Sequence, residues 1–439
     1  MSLRLVLFIY NIVFPIALLF LLPGYLLKIF RRGNYSNSFG ERFGIYSSEK
    51  KEKLSNIEKP IWIHAVSVGE VNVAIKLIKS LRREAPSKSI VLSTTTPTGH
   101  DIAKSSGADL IFYHPLDFLF IVNKALRLID PITLILTEAE IWPNLVSKAN
   151  RRNIKVSIIN ARLSNRSESR YKRFSFFSAP VLRMLNLVCV QDEADMKIWD
   201  SLGVNLDKIY FTGSIKYDAS HIKTPSRLGE FRELLSRVLL GNQRKIMLAG
   251  STHPGEELMI ARKYKILKEK FPELFLIVVP RHVERCKSII EEISKEGLDV
   301  ELRSNLDRQL GNRETNKAID CLIINTTGEL GAWYYLSDVV IIGKSFLHTG
   351  GQNPVEAIFA GKPVIVGPNM ENFSALVSML NHHKGLIQID GSETIVESIT
   401  EILSKPEIAQ NTVSNANEVL SCHQGATNRT AKLVVDKSF

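Results

Sequence analysis

The sequence predicts an α/β protein with two doubly wound parallel sheets and an apolar helix near its beginning. Short β-branched runs alternate with amphipathic stretches, which is typical of βαβ units. This rhythm stops in a polar stretch near Tyr217 to Pro225 and restarts at Lys245, so the two sheets belong to different domains. The third observation is an almost wholly apolar run from Leu5 to Leu27. We therefore expect two Rossmann-like domains whose strand ends face a cleft, where doubly wound folds bind ligands.

Length and composition agree with this fold. The 439 residues exceed what one hydrophobic core organises, and 45% apolar with 23% charged residues is typical of a globular protein. A net charge of +11 indicates an anionic partner, which can be nucleic acid, a phosphorylated ligand or an acidic membrane surface. The four cysteines form no C-x-x-C pair and have no histidine at metal-ligand spacing, so neither a disulfide framework nor a zinc site is predicted.

The apolar run predicts a membrane anchor over residues 1–32. At about 1.5 Å per residue it can cross a hydrocarbon layer of about 30 Å as a helix, although one asparagine and two prolines interrupt it. Lys28, Arg31 and Arg32 follow it directly, and the positive-inside rule then favours a body on the cytoplasmic side. No small-residue cleavage site follows, so we expect a retained helix, either single-pass or monotopic.

Eleven β-branched segments predict the strands, and the break between the two sets divides the body into domains at 33–216 and 217–439. The strands of the first domain are Ile61 to Val66, Ile90 to Thr94, Leu110 to Tyr113, Thr133 to Thr137, Lys155 to Asn160 and Leu187 to Gln191. Those of the second are Lys245 to Ala249, Leu274 to Val279, Cys321 to Asn325, Val339 to Ile342 and Pro363 to Val366.

Acidic side chains follow two strands of the first domain. Glu70 stands at the start of a helix, where it can act as a general base or simply complement the helix dipole. Glu138 and Glu140 lie in an apolar and aromatic setting. In an extended chain they point to the same side, so one can contact a ligand while the other holds a cation. The alternative is a cap for a helix that begins at Pro143.

Three segments of the second domain suit an anionic ligand. Gly250 to Glu257 supplies hydroxyls and backbone donors at a helix N-terminus, with an ordinary cap as the alternative. Arg281 can bind a phosphate or carboxylate, or form a surface salt bridge. The glycines before Asn353 permit a close backbone approach, and Glu356 can accept ribose hydroxyls. No Asp-x-Asp stands at a strand end, so we expect no metal ion.

A basic stretch from Arg162 to Arg173 is interleaved and followed by aromatic residues. After an apolar anchor, this composition favours anionic lipid headgroups over nucleic acid. The alternative is a solvated helix face.

In this order, these segments resemble the bacterial 3-deoxy-D-manno-octulosonate (Kdo) transferases of lipopolysaccharide assembly, which are B-fold glycosyltransferases. The resemblance runs from the anchor and Phe39-Gly-Glu-Arg-Phe-Gly44, through Ser-Val-Gly-Glu, Thr-Glu-x-Glu-x-Trp-Pro-Asn and Asn-Ala-Arg-Leu-Ser, to Gly-Gly-x-Asn-Pro-x-Glu. It covers nearly the whole chain. It implies that residues 33–216 bind the acceptor and residues 217–439 bind the nucleotide sugar.

The resemblance also implies roles for individual residues. Glu70 would be the proton acceptor, and Glu140 and Lys216 would stabilise the transition state. The implied contacts to CMP are Pro280, Arg281, Thr327, Gly328, Glu329, Asn353, Pro354, Val355 and Glu356. Thr327 stands where the family pattern leads us to expect methionine.

The implied reaction is transfer of Kdo from CMP-Kdo to the lipid A precursor lipid IVA, with inversion, at the cytoplasmic face of the inner membrane. It needs no cofactor beyond the donor and no metal, and the expected partners include anionic lipids but no nucleic acid. A two-domain sugar epimerase is the alternative enzyme, and it would need no anchor. A membrane-tethered nucleic-acid binder rests on charge alone and predicts a steep salt dependence of affinity.

Overall fold

The computed structural model describes residues 1–32, 36–219, 225–239, 244–308 and 319–439. The chain forms two compact units. Unit 1 comprises Met1–Asp218 and His423–Phe439, and unit 2 comprises Ala219–Cys422. The division after Asp218 lies near the predicted boundary at 216. The last residues differ from the prediction, since they return to unit 1 instead of staying with 217–439.

Each unit contains one seven-stranded sheet in which all paired strands are parallel. The strands of unit 1 are β1 (Ile61–Ala65), β2 (Ile90–Thr94), β3 (Leu110–Tyr113), β4 (Thr133–Thr137), β5 (Lys155–Ala161), β6 (Leu187–Val190) and β7 (Ile209–Phe211). Those of unit 2 are β8 (Lys245–Thr252), β9 (Leu274–Pro280), β10 (Val300–Leu302), β11 (Cys321–Ile323), β12 (Val339–Ile342), β13 (Val364–Val366) and β14 (Ile387–Gln388).

Helices connect the strands. They are α1 (Leu3–Arg32), α2 (Ser48–Ser55), α3 (Val68–Glu84), α4 (Pro97–Ala103), α5 (Leu119–Ile129), α6 (Pro143–Arg151), α7 (Asn165–Arg173), α8 (Ser175–Leu182), α9 (Glu193–Ser201), α10 (Leu228–Val238), α11 (Glu256–Lys270), α12 (Cys286–Lys295), α13 (Arg303–Arg308), α14 (Leu330–Leu336), α15 (Val355–Phe359), α16 (Ser374–His382), α17 (Ile395–Ser404), α18 (Pro406–Ser421) and α19 (Ala426–Ser438). Short 3-10 segments cover Ser36–Phe43, Leu206–Lys208, Val283–Arg285, Glu371–Phe373 and Ser392–Thr394.

The strand orders confirm the predicted doubly wound fold. The first sheet has the order β3-β2-β1-β4-β5-β6-β7, and the second has β10-β11-β9-β8-β12-β13-β14. The connections therefore change direction between β1 and β4 in unit 1, and between β8 and β12 in unit 2. Ligands of doubly wound sheets bind beyond the carboxyl ends of the strands at such switch points. All eleven predicted strands are present, whereas β7, β10 and β14 were not predicted.

Helix α19 belongs to unit 1 because its apolar face packs on α3. Ala431 and Val434 are fully buried in the core that α3 forms with one face of the first sheet. The carboxylate of Asp218 accepts hydrogen bonds from the backbone N–H groups of Gly425 and Thr427, at the start of α19. The chain thus leaves unit 1 and re-enters it at points that are bonded to each other.

Helix α1 is continuous through both prolines of the apolar run, and part of it docks on unit 1. Val6 is fully buried in the core on the other face of the first sheet. The Asn11 and Asn144 side chains exchange two hydrogen bonds of 3.0 and 2.9 Å. Phe14 packs edge-on against Phe118, with ring centroids 5.3 Å apart. The asparagine that interrupts the apolar run is therefore paired with the start of α6.

Candidate active site

Glu70 lies at the switch point of the first sheet, after β1, and its carboxylate is held by three donors. Oε2 accepts from the Val66 backbone N–H at 2.8 Å and from the Thr137 hydroxyl at 2.7 Å, and Oε1 accepts from the Ser67 hydroxyl at 3.0 Å. The Ser67 hydroxyl in turn caps the Glu70 N–H, which makes a variant of the capping box. Glu70 is only 6% exposed and all these partners belong to unit 1. Glu70 thus lies in the first turn of α3, where the helix-dipole alternative places it, and its hydrogen bonds fix the orientation of the carboxylate.

Glu138 follows β4 at the same switch point and forms an ion pair with Lys216. The two side chains approach to 2.5 Å. The prediction that Glu138 and Glu140 point to the same side required an extended chain. The backbone of Glu138 is instead left-handed, with φ of 57°. One acid nevertheless holds a cation, as expected. The helix-cap alternative fails here, because the N–H groups of Asn144 and Leu145 are capped by Asp117.

Glu140 is the acid in this group with the most unusual environment. Burial, together with the nearby carboxylates of Glu70 and Glu138, raises its pKa to about 7. No hydrogen bond or ion pair to the Glu140 side chain is present among the described residues, in contrast to Glu70 and Glu138. The structure therefore gathers Glu70, Glu138, Glu140 and Lys216 at one switch point, and the Glu140 carboxylate is partly protonated near neutrality.

The loop that carries Lys216 is fixed by a residue that the sequence did not single out. The Lys76 ammonium on α3 donates to the backbone carbonyls of Ile215, Lys216 and Asp218 at 3.0 to 3.2 Å. The Asn160 carboxamide oxygen accepts from the Ile215 N–H at 2.9 Å. The sequence around Lys76 does not indicate this role, because the partners of Lys76 lie about 140 residues away in the chain.

A buried imidazole pair, formed by His64 in β1 and His114 directly after β3, was also missed. The rings of His64 and His114 stack with centroids 3.5 Å apart, and the His64 Nδ1 lies 3.0 Å from the Ser93 hydroxyl. Burial lowers the pKa of His64 to about 3 and that of His114 well below its usual range, so both rings are neutral. Sequence alone does not distinguish such core histidines from ligands.

Helix α7 brings the predicted basic cluster next to the acids. The side chain of Tyr171 is half-buried, and both burial and the charge of Glu140 raise its pKa. Arg170, Lys172 and Arg173 lie in the last turn of the same helix. Phe174 and Phe176, which follow, are 51% and 56% exposed. Most of the cluster thus lies on α7, whose tyrosine is close to Glu140, and exposed aromatic rings follow this helix.

The site of unit 2 is built from the loops after β8 and β12, which meet at one buried carboxylate. Glu256 is fully buried, and it accepts from the backbone N–H groups of His253, Lys344 and Phe346 at 2.9, 2.7 and 3.2 Å. A Cβ at Gly343 would lie 2.5 Å from the Ser251 carbonyl oxygen, so this contact requires glycine. Glu256, the first acid of the predicted segment from Gly250 to Glu257, therefore connects the loop after β8 to the loop after β12.

The second acid of that loop, Glu257, is also fully buried. It pairs with Arg285 through two bonds of 3.0 Å and accepts the Thr252 hydroxyl at 2.8 Å. Arg281, by contrast, is exposed, and no described carboxylate lies within salt-bridge distance of its guanidinium. The surface salt-bridge alternative for Arg281 is therefore not seen in the described part of the chain.

The remaining predicted nucleotide contacts also follow strands of unit 2. Thr327 and Gly328 are exposed after β11, and Asn353 caps the Val355 N–H at 3.1 Å at the start of α15. Glu356 is exposed in the first turn of that helix. Pro354 and Val355 are buried, as is Pro280 at the end of β9, so these three residues offer backbone groups more than side chains.

Glu329 is the exception among these predicted contacts, because its carboxylate is only 7% exposed and is already engaged. Arg303, which is 1% exposed, approaches it to 3.4 Å and Arg227 to 3.8 Å. The indole N–H of Trp333 donates to it at 3.4 Å. No local pattern singles out Arg303, because its partners come together only in the folded unit.

Comparisons with known proteins agree with this arrangement. Residues 37–219 match the family described as 3-deoxy-D-manno-octulosonic-acid transferase (kdotransferase). A 3-deoxy-D-manno-octulosonic acid transferase of Haemophilus influenzae is 33% identical over 91% of this chain and 91% of its own length. One of Chlamydophila psittaci is 29% identical over 91% of this chain and 89% of its own.

A solved structure, the UDP-GlcNAc 2-epimerase from Neisseria meningitidis bound to UDP-GlcNAc, superposes with a TM-score of 0.54 at 14% identity. It covers 86% of this chain and 100% of the epimerase, and this likeness shows the fold alone. The two Rossmann-like units and the match to this transferase family together identify a glycosyltransferase of the B-fold class. Within that class, the chain belongs to the 3-deoxy-D-manno-octulosonic acid (Kdo) transferase family.

Proposed function

We propose that this Kdo transferase moves Kdo from CMP-Kdo to lipid IVA, a lipid A precursor, with inversion and without a metal ion. Family membership supports the Kdo donor and the lipid A acceptor. The observation that carries the mechanism is the group of acids at the first switch point, Glu70, Glu138 and Glu140, with Lys216 paired to one of them.

In this mechanism Glu70 is the general base. Three donors fix its carboxylate, and a carboxylate offers about four lone-pair sites, so one site remains for the acceptor hydroxyl. Glu70 takes the hydroxyl proton while that oxygen bonds to the anomeric carbon of Kdo. The bond from this carbon to the phosphate oxygen breaks at the same time, and CMP leaves with the electron pair.

Glu140 and Lys216 stabilise the transition state. A carboxyl group with a pKa of about 7 is partly protonated near neutral pH and can then donate a hydrogen bond to an oxygen that gains charge. Lys216 supplies a fixed positive charge. On the donor side Pro280, Arg281, Thr327, Gly328, Glu329, Asn353, Pro354, Val355 and Glu356 contact CMP, as the family resemblance implies. The phosphate of CMP carries less charge than a diphosphate, so Arg281 and backbone N–H groups suffice to neutralise it.

The membrane contact is the third part of the proposal. Helix α1 contains an 18-residue apolar window, Leu3–Phe20, whose outward side chains Phe8, Leu19 and Phe20 are strongly exposed. Because Val6 and Asn11 of the same helix face unit 1, we favour a monotopic anchor on the cytoplasmic side of the inner membrane. The basic end of α7 would then meet anionic lipid headgroups.

The test is CMP release from CMP-Kdo in the presence of lipid IVA and EDTA. Wild type should turn over with EDTA present, and Glu70→Gln should lose at least about 10²-fold, the usual lower scale for a general base. Glu84→Gln at the exposed end of the same helix is the matched control and should keep full activity. Circular dichroism melting of each variant separates lost chemistry from lost helix capping. A folded Glu70→Gln protein with the wild-type rate would remove Glu70 from the mechanism, and dependence on added metal would contradict the metal-free reaction.

A further inference from the structure

Three histidine rings gather beside the loops that Glu256 joins in unit 2. The ring centroid of His253 lies 6.0 Å from that of His282 and 5.8 Å from that of His348. They come from the loops after β8, β9 and β12, so they surround the switch point of the second sheet. Neither the family resemblance nor the predicted CMP contacts give these rings a role.

The hydrogen bonds of His253 and His348 show which ring nitrogen of each can still accept a hydrogen bond from a ligand. The His253 Nδ1 lies 3.2 Å from the Ser251 carbonyl oxygen, and the His348 Nε2 lies 3.0 Å from the Pro254 carbonyl oxygen. A carbonyl oxygen can only accept, so each of these nitrogens carries the proton. In the neutral rings the opposite nitrogens, Nε2 of His253 and Nδ1 of His348, are therefore acceptors. Burial lowers the pKa of His253, which favours the neutral ring.

The charges beside the rings select the kind of ligand. Lys344 lies close enough to His253 to help lower its pKa, and Arg281 directly precedes His282. The two acids of the loop, Glu256 and Glu257, are buried and already hydrogen-bonded. A divalent metal ion at His253 would meet the Lys344 ammonium, and the carboxylate of Glu284, which lies 3.6 Å from the His282 Nδ1, is exposed. A ligand that combines hydroxyl donors with a negative charge would meet ring acceptors and the Lys344 cation together.

We propose that His253, His348 and Lys344 form the subsite for the acidic, polyhydroxylated sugar of the donor. The two free ring nitrogens accept hydrogen bonds from sugar hydroxyls, and Lys344 binds the sugar carboxylate. Glu256 is the positioning residue, because one carboxylate holds the backbone of both ligand-bearing loops. This inference rests on the proposed function. It adds that the residues that bind the sugar differ from those that bind the nucleotide.

The test compares CMP with CMP-Kdo by titration calorimetry on the full chain. His253→Phe and His348→Phe should each weaken CMP-Kdo binding by about 3- to 10-fold, the effect of one lost hydrogen bond, while CMP affinity stays within about twofold. His253→Gln keeps an acceptor and should restore most of the loss. His382→Phe, at an exposed histidine in the same unit, is the control and should change neither affinity.

Several results would overturn the subsite. Equal weakening of CMP and CMP-Kdo would mean a nucleotide or structural role, and unchanged CMP-Kdo binding in both phenylalanine variants would mean no role. CMP-Kdo affinity that rises with added Zn²⁺ and falls with EDTA would make the rings metal ligands. A wild-type chain that binds CMP no more weakly than CMP-Kdo would also overturn it. Failure of the proposed function looks different, since a wild-type chain that binds CMP-Kdo but transfers nothing to lipid IVA would leave the subsite intact.

Discussion

Glu140 differs from its two acidic neighbours in a single physical respect, since no donor compensates for its burial. Glu70 accepts three hydrogen bonds, and Glu138 forms an ion pair with Lys216. Glu140 lies near both charges, and burial together with that repulsion brings its pKa to about 7. One residue of the site is thereby prepared to change protonation in the physiological range.

This environment predicts a pH dependence for the transfer rate. If protonated Glu140 is the active form, the wild-type rate falls as pH rises above about 7, and at pH 8 it is about tenfold below its plateau. Glu140→Gln presents an amide donor at every pH, so its rate should stay level from pH 6.5 to 8.5. The measurement is the rate of CMP release at saturating donor and acceptor. A wild-type rate that rises through pH 7 would show that the ionised form works instead.

The sequence predicts only part of the arrangement of these three acids. The Ser67-x-x-Glu70 spacing is a capping signal, and it is realised here. The left-handed backbone at Glu138 has no such signal, because glutamate rarely adopts it. The pKa of Glu140 depends on burial and on two carboxylates that follow β1 and β4, which only the folded sheet brings together.

At the scale of helices and strands, predictability follows burial and the reach of contacts. The three-residue strands β11 and β13 are fully buried and apolar, and they were recognised as well as the longer β8 and β9. The missed strands β7, β10 and β14 lie at sheet edges and are only partly buried, so their short sequences carry no continuous apolar run. Helix α19 is amphipathic, but nothing local says that its partner is α3, some 350 residues earlier.

Helix α3 links the two ends of the site in unit 1, which makes Lys76 testable. Its first turn carries Glu70, and Lys76 two turns later holds the Lys216 loop through three carbonyls. Lys76→Met should lower kcat by about 10- to 100-fold, because small displacements of a positioned group cost that much. The KM for CMP-Kdo should stay within about threefold.

The matched control is Lys79→Met, one turn further along α3 and exposed, which should leave kcat unchanged. Lys76→Arg keeps a positive donor and should recover part of the rate. A folded Lys76→Met protein with the wild-type kcat would mean that the Lys216 loop holds its position without this ammonium.

At the scale of the whole molecule, the start of α1 is attached to unit 1. Met1 helps to line a cavity of about 320 Å³ with Phe176 and Pro180 of α8 and with Gly203. Together with the buried Val6 and the Asn11–Asn144 pair, this attaches the first four turns of α1 to unit 1. A helix that crossed the bilayer alone would carry Met1 to the opposite side from the body.

The monotopic arrangement therefore predicts that Ser2 and the exposed Cys422 face the same compartment. The other three cysteines are buried, so Cys422 serves as the reporter for the body. In the Ser2→Cys, Cys422→Ser chain, a membrane-impermeant maleimide should label position 2 in inverted inner-membrane vesicles but not in spheroplasts. The wild-type chain, labelled at Cys422, should give the same pattern. Labelling of Ser2→Cys in spheroplasts would establish a single-pass span, because Met1 would then lie across the membrane from unit 1.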